Sequence, residues 1–203
     1  MSRNKITAAE LMAKLNADPK YVRMREDAEK LRQHREAGLQ AAELPLLEEL
    51  RSAGYDVASV WDFVSTPDPY PDAVPILLSH ISSRSYPDSI REGIARSLAV
   101  PEAKVGWKSI VNMYRTETEA RVKDGLAVAI AAIADDEVID EVILLVTDTN
   151  NAQSRLLLLS ALERSADPRA YHALSALRND PELHKEIKVI LRRMEKKRRN
   201  RTG

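Results

Sequence analysis

Apolar residues recur along this chain at intervals of about 32 residues, and this repeat constrains the fold more than any other feature. Two series of four residues step by 32, 33 and 31 positions, and two further series step by 32 each time. The series are Leu78/Ile110/Ile143/Leu174, Ile81/Met113/Val146/Leu177, Ile94/Leu126/Leu158/Ile190 and Leu98/Ile130/Leu162/Met194. A repeat of this length is typical of stacked pairs of α-helices, each burying its apolar side against its neighbours.

Capping residues and prolines divide the repeat region into four predicted helical hairpins. Asp167-Pro168 and Asp180-Pro181 are helix-start signals, and residues 116–119 read Thr-Glu-Thr-Glu, the pattern of a capping box. Caps and apolar periodicity agree, so the sequence predicts an all-α protein. The predicted helix pairs are 71–83 with 86–99, 102–115 with 118–134, 136–147 with 151–165, and 168–178 with 181–199.

The residues before the repeats form a charged helical extension, 1–42, followed by two capping helices within 43–67. Thr7 and Glu10 have capping-box spacing. Pro45 is expected to interrupt the helix and restart it, and 57–64 is expected to form a short second helix. An apolar stripe in 20–42 leaves two alternatives open, a solvated helix or a dimer zipper, so the oligomeric state is undecided. The stripe comprises Tyr21, Met24, Ala28 and Leu31.

The repeats resemble those of bacterial HEAT-repeat, or armadillo-type, proteins. The resemblance is carried by residues 70–78 (Tyr-Pro-Asp-Ala-Val-Pro-Ile-Leu-Leu), by 86–98 (Tyr-Pro-Asp-Ser-Ile-Arg-Glu-Gly-Ile-Ala-Arg-Ser-Leu) and by 122–130. It covers about 68–195, within a predicted repeat domain of 68–199 that leaves 200–203 as a basic tail end. It implies an α-solenoid whose second helices line the inner face and bind another macromolecule.

Composition argues against several classes of function. The chain contains no Cys, which rules out thiolate chemistry and Cys-ligated metals. The longest apolar run, 126–134, is far shorter than the roughly 20 residues that span a bilayer. Without a recognisable signal peptide, the expected location is cytoplasmic. We expect no catalytic residue, no metal site and no cofactor, and therefore a protein that is not an enzyme.

Basic residues stand one repeat apart at the start of three predicted second helices: Arg91, Lys123 and Arg155. Stacked, they would form a row of positive charge for phosphates or for an acidic partner surface. The alternative is structural pairing with neighbouring acidic or capping groups. As exposed candidates for partner binding, the sequence suggests Arg91, Glu92, Lys123, Asp124 and Arg155.

The C-terminal end is strongly basic, although the whole chain is electrically neutral. Residues 181–203 contain nine basic and three acidic side chains. Such a cluster has two interpretations. It attaches the protein to nucleic acid, or it makes the end of the chain soluble and places favourable charges at a helix C-terminus. The candidates for nucleic-acid binding are Arg192, Arg193, Lys196, Lys197, Arg198 and Arg199.

Two functions follow as expectations. The first is a non-enzymatic scaffold that binds an unidentified protein partner through the face of the second helices. The second is a nucleic-acid-associated protein that uses the basic C-terminus together with the Arg91/Lys123/Arg155 row. No membrane association is expected.

Overall fold

All regular secondary structure in the part of the chain that the structure describes is helical. The structure is a computed structural model, and it describes residues 7–83 and 85–202. Over these residues it has eleven α-helices, three short 3-10 helices and no strand, which confirms the all-α prediction. The α-helices are α1 (Ala8–Asn16), α2 (Pro19–Ser52), α3 (Asp62–Ser65), α4 (Ala73–Ile81), α5 (Asp88–Ser97), α6 (Trp107–Thr116), α7 (Ala120–Ile133), α8 (Ile139–Thr147), α9 (Arg155–Arg164), α10 (Pro168–Ala176) and α11 (His184–Thr202).

The chain divides into two compact units, Met1–Ala42 and Glu43–Gly203. The first unit holds α1 and the first part of α2. Thr7 and Glu10 form the predicted capping box, in which the Thr7 amide donates to the Glu10 carboxylate at 2.9 Å. No side chain described in this unit is buried, and the stripe residues Met24 and Leu31 are exposed. Residues 7–42 of this unit therefore form no apolar core of their own.

Helix α2 passes through Pro45 without a break, so the expected interruption there was wrong. Contacts on both sides of the proline stabilise the helix. Before it, the buried Glu43 carboxylate accepts a hydrogen bond from the Val60 amide at 2.6 Å. After it, Leu46 and Leu50 are fully buried. Packing of this face outweighs the loss of one backbone hydrogen bond at the proline.

The expected helix at 57–64 is also wrong, because only Asp62–Ser65 is helical there. The Asp62 carboxylate accepts hydrogen bonds from the amides of Ala58 and Ser59, at 2.9 and 3.1 Å. These bonds satisfy the backbone as a turn and leave a single helical turn after it. Phe63, within that turn, is buried against Tyr70, with ring centroids 4.5 Å apart.

The second unit is built from helix pairs in contact. The helices of each pair α4–α5, α6–α7, α8–α9 and α10–α11 pack together. In addition, α5 packs against α7, α7 against α9, and α9 against α11. We call α5, α7, α9 and α11 the second helices. The apolar series on these helices forms the core, since all its members except Met194 are buried: Ile94, Leu98, Leu126, Ile130, Leu158, Leu162 and Ile190.

Local capping differs from the sequence prediction at the start of α7. Asp167 and Asp180 accept backbone amides as expected, from Arg169 at 2.8 Å and from Glu182 at 2.9 Å. The capping box at residues 116–119 does not form. Thr116 ends α6, where its hydroxyl donates to the Asn112 carbonyl at 3.1 Å. The Glu117 carboxylate instead accepts the two amides that precede α7.

Across the described ranges, every helix is too short or too polar to cross a membrane.

Candidate functional site

The second helices share one face that the rest of the described chain covers only in part. Positions on this face repeat every 32 residues, which is the interval of the buried apolar series. The residues are half-buried or exposed, in contrast to the buried apolar series beside them. We define the second-helix face by two rows, Glu92/Asp124/Leu156/Lys188 and Arg96/Val128/Ser160/Arg192.

Arg91 is not part of this face, so the expectation that it is exposed was wrong. Its side chain is buried between α5 and the start of α7, where its guanidinium pairs with Glu117 and, at 3.4 Å, with Asp88. Its Nε atom has no hydrogen-bond partner among the described residues. A buried guanidinium needs such acidic partners because an unpaired charge in the interior is costly.

Arg155 is likewise buried, only 1 % exposed, although the sequence suggested an exposed residue. Its guanidinium donates to the Val146 carbonyl at 2.7 Å and pairs with Asp180, and with Glu182 at 3.2 Å. Asp180 precedes α11. Arg155 therefore joins α9 to the next second helix and contributes no accessible charge.

Lys123 stands between these two arginines in the repeat but interacts differently. It is half-buried, and its ammonium lies 4.9 Å from the centroid of the Tyr114 ring, a cation–π distance. Tyr114 is fully buried and its hydroxyl contacts the Ser154 hydroxyl at 2.7 Å. Burial raises the pKa of Tyr114 to about 12, which keeps the phenol neutral. The three basic residues thus do not form an exposed row.

Glu92 and Asp124 lie on the second-helix face one repeat apart. Glu92 accepts a hydrogen bond from the Arg96 guanidinium at 2.9 Å. Burial raises the pKa of Asp124, and so does the negative charge of Glu92. The positive charge of Arg96 lowers the same pKa in part. Among the described residues Asp124 has no hydrogen-bond or ion-pair partner, so this half-buried carboxylate is available to an incoming cation. We call Glu92, Arg96 and Asp124 the acidic patch.

A cavity of about 430 Å³ opens beside the acidic patch. This volume is large enough for a small molecule or for a side chain of a partner. Its lining is mainly aromatic, aliphatic and proline side chains, with Arg96 and Val128 contributed by the second-helix face. Tyr70 is held in its wall by hydrogen bonds from its hydroxyl to the Phe63 and Ser97 carbonyls, at 3.3 and 3.0 Å. The apolar lining includes Phe63, Val64, Pro69, Tyr70, Val100 and Pro101.

The basic residues of the C-terminal end lie along α11, which continues to Thr202. Arg192, Lys196, Lys197 and Arg199 are exposed, as is Arg193, whose guanidinium lies 3.6 Å from the Glu163 carboxylate. The side chain of Arg198 lies outside those that the structure describes. Of the predicted nucleic-acid candidates, only Arg192 is also part of the second-helix face.

Sequence reasoning missed Arg96, Val128 and the cavity beside them. Arg96 and Val128 are 32 residues apart, so the repeat that identified the core also relates them. The cavity depends on the proline-rich segment 66–70 folding back toward α5, which no local pattern predicts. Glu117 and Asp180 carry a further signal, since they follow Arg91 and Arg155 by 26 and 25 residues.

In the described residues, no group of three or more His, Asp or Glu side chains is arranged to hold a metal ion. No protein-family model, curated protein or solved structure matches the chain.

Proposed function

We propose that the protein is a non-enzymatic, cytoplasmic α-solenoid of four HEAT-like hairpins that binds a segment of a protein partner. The binding surface is the acidic patch on α5 and α7 together with the adjoining cavity. The observation that carries this proposal is Asp124, a half-buried carboxylate with no ion-pair partner among the described residues. A cation from the partner would complete the charge balance there.

The cavity determines which type of side chain the partner carries next to that cation. Its walls are largely apolar and contain Phe63 and Tyr70, which pack on each other. An aliphatic or aromatic side chain of the partner would bury apolar area there, at about 25 cal/mol per Å². The bound segment therefore carries Lys or Arg close to a large apolar residue.

The packing of the helices supports binding without rearrangement. Gly125 brings α7 so close to α5 that a Cβ atom there would lie 2.9 Å from Ala95 Cβ. Arg91 and Glu117 join the same two helices. A surface that is already ordered loses little conformational entropy when a ligand binds.

Selection from a displayed library of random peptides tests this function. We expect enriched peptides to combine a basic residue with a large apolar residue, and to bind Asp124→Lys at least tenfold more weakly than wild type. Asp72→Lys is the matched control, because Asp72 is exposed outside the acidic patch and the substitution changes the net charge by the same amount. Enrichment of peptides without basic residues, or equal binding to Asp124→Lys, would contradict the proposal.

A further inference from the structure

Helix α11 has a buried apolar side and an exposed basic side. Ile187 and Ile190 are buried, as is Leu183 just before the helix. On the exposed side, four basic residues follow at intervals of three, four and four, and at 100° per residue they point within about 80° of one another. We call this set the basic stripe: Lys185, Lys188, Arg192 and Lys196.

The basic stripe is not neutralised within the part of the chain that the structure describes. None of its four side chains makes a hydrogen bond or ion pair there. Helix α11 itself carries two acidic residues, Glu186 and Glu195. Neither pairs with a side chain of the stripe, and Glu195 accepts a hydrogen bond from the Tyr171 hydroxyl at 3.4 Å. By contrast, Arg193 on another side of the helix is near Glu163.

The positions that align with the basic stripe one repeat earlier carry no acidic residue. The positions one repeat earlier are Gln153, Leu156 and Ser160, all exposed and uncharged. Arg164 is the position one repeat before Lys196, and it donates to the Ala131 carbonyl. The positive potential of the basic stripe is therefore reduced by no carboxylate from these four aligned positions.

The composition of the basic stripe selects among polyanionic ligands. Three of its four residues are Lys, which is depleted in protein–protein interfaces but binds phosphates as a point charge. Membrane binding by an amphipathic helix requires a free apolar face. The apolar face of α11, which contains Ile187 and Ile190, is buried inside the protein. The stripe has no aromatic residue on which a single-stranded base could stack.

The length of the basic stripe matches a segment of a nucleic-acid duplex. Lys185 and Lys196 are separated by eleven residues, about 16 Å along a helix. Duplex DNA carries about ten phosphate charges over the same distance. We propose that the basic stripe binds the phosphate backbone of double-stranded nucleic acid without sequence preference. It does not include the acidic patch or its cavity, so this binding and the proposed partner binding can fail separately.

Fluorescence anisotropy with a random-sequence DNA duplex tests the proposal on the full chain. Four phosphate contacts predict a slope of about −3.6 in log K against log salt, so affinity falls about 150-fold between 50 and 200 mM salt. The variant Lys185→Gln/Lys188→Gln/Arg192→Gln/Lys196→Gln should lose the binding. The matched control Lys14→Gln/Lys30→Gln/Lys108→Gln/Arg178→Gln removes three Lys and one Arg that are exposed elsewhere, and it should bind like wild type.

Three results would overturn the proposal. They are no binding at 50 mM salt, equal loss of binding in both variants, and binding to vesicles of 30 % anionic lipid without binding to the duplex. The four side chains of the stripe are exposed, so the variant should fold, and an unchanged far-UV circular dichroism spectrum verifies this.

Discussion

Arg155 and Asp180 form a buried ion pair that joins the start of α9 to the start of α11. Asp180 also accepts the amides of Glu182 and Leu183, at 2.9 and 3.1 Å. The same arrangement joins α5 to α7, where Glu117 pairs with Arg91 and accepts the amides of two following residues. One acidic side chain thus neutralises a buried arginine and satisfies the backbone that leads into the next second helix.

Replacing Arg155 by Met should destabilise the protein by about 3 kcal/mol, because it leaves Asp180 without its cation in a largely buried site. Urea unfolding followed by circular dichroism measures this change. Arg178→Met is the control, since Arg178 is exposed and should change stability by less than about 0.5 kcal/mol. A loss below about 1 kcal/mol for Arg155→Met would mean that the pair does not hold the two helices together.

Stability should fall in acid. Burial alone would raise the pKa of Asp180 and Glu117, but the guanidinium of Arg155 or Arg91 and the backbone amides hold both below their ordinary values of 3.8 and 4.5. The unfolded chain therefore takes up protons first. The stabilisation is complete above about pH 4.5 and is lost as the pH falls through the lowered values of the folded state.

Urea midpoints between pH 7 and pH 2.5 measure this dependence. The double variant Glu117→Gln/Asp180→Asn should be less stable at pH 7 and should lose less stability on acidification. An equally steep loss in the double variant would assign the acid sensitivity to other carboxyl groups.

Adding a methyl group should have opposite effects at two glycines. A Cβ at Gly125 would lie 2.9 Å from Ala95 Cβ and 3.1 Å from the Glu92 carbonyl oxygen, so Gly125→Ala should cost about 1–3 kcal/mol. Gly38 has nothing within 4 Å of such a Cβ and lies inside α2. Gly38→Ala should therefore increase helix content, by the propensity gain of about 1 kcal/mol. Thermal unfolding and circular dichroism separate the two, and a stabilising Gly125→Ala would contradict the close packing of α5 on α7.

Ala152 has a left-handed backbone, with φ of 46°, in the 3-10 segment before α9. Glycine adopts this conformation without steric cost, so Ala152→Gly should stabilise the protein by about 1 kcal/mol. Ala132→Gly, at an exposed position of α7, should instead destabilise by a similar amount. Urea unfolding compares the two, and destabilisation by both would contradict the strained conformation.

The helices of the repeat region were predictable from sequence because apolar spacing and caps act locally. The series through Ile94 and Leu126 identified core residues correctly. Pro45 was misjudged because the stabilisation of α2 comes from distant contacts, such as that of Glu43 with Val60. The burial of Arg91 and Arg155 was missed for a related reason. Charged residues are exposed by default, and their acidic partners lie 26 and 25 residues further along the chain.

Of the candidate site, Glu92, Lys123 and Asp124 are accessible in part, as the sequence suggested. Arg96 could have been predicted from the sequence as well, because Glu92 and Arg96 have the i,i+4 spacing of a helical ion pair. The cavity could not be predicted in this way, since its wall combines Tyr70 with Val128 of α7, the fourth α-helix after Tyr70.

Asp124 is the residue that we propose receives a cation of a protein partner. The most direct measurement is calorimetric titration of a library-selected peptide into wild type, Asp124→Lys and Asp72→Lys, where Asp72 is an exposed residue outside the acidic patch. We predict at least tenfold weaker binding to Asp124→Lys, and unchanged binding to Asp72→Lys, which carries the same change in net charge. Equal affinities for all three proteins, or equal weakening by both substitutions, would contradict a binding site at the acidic patch.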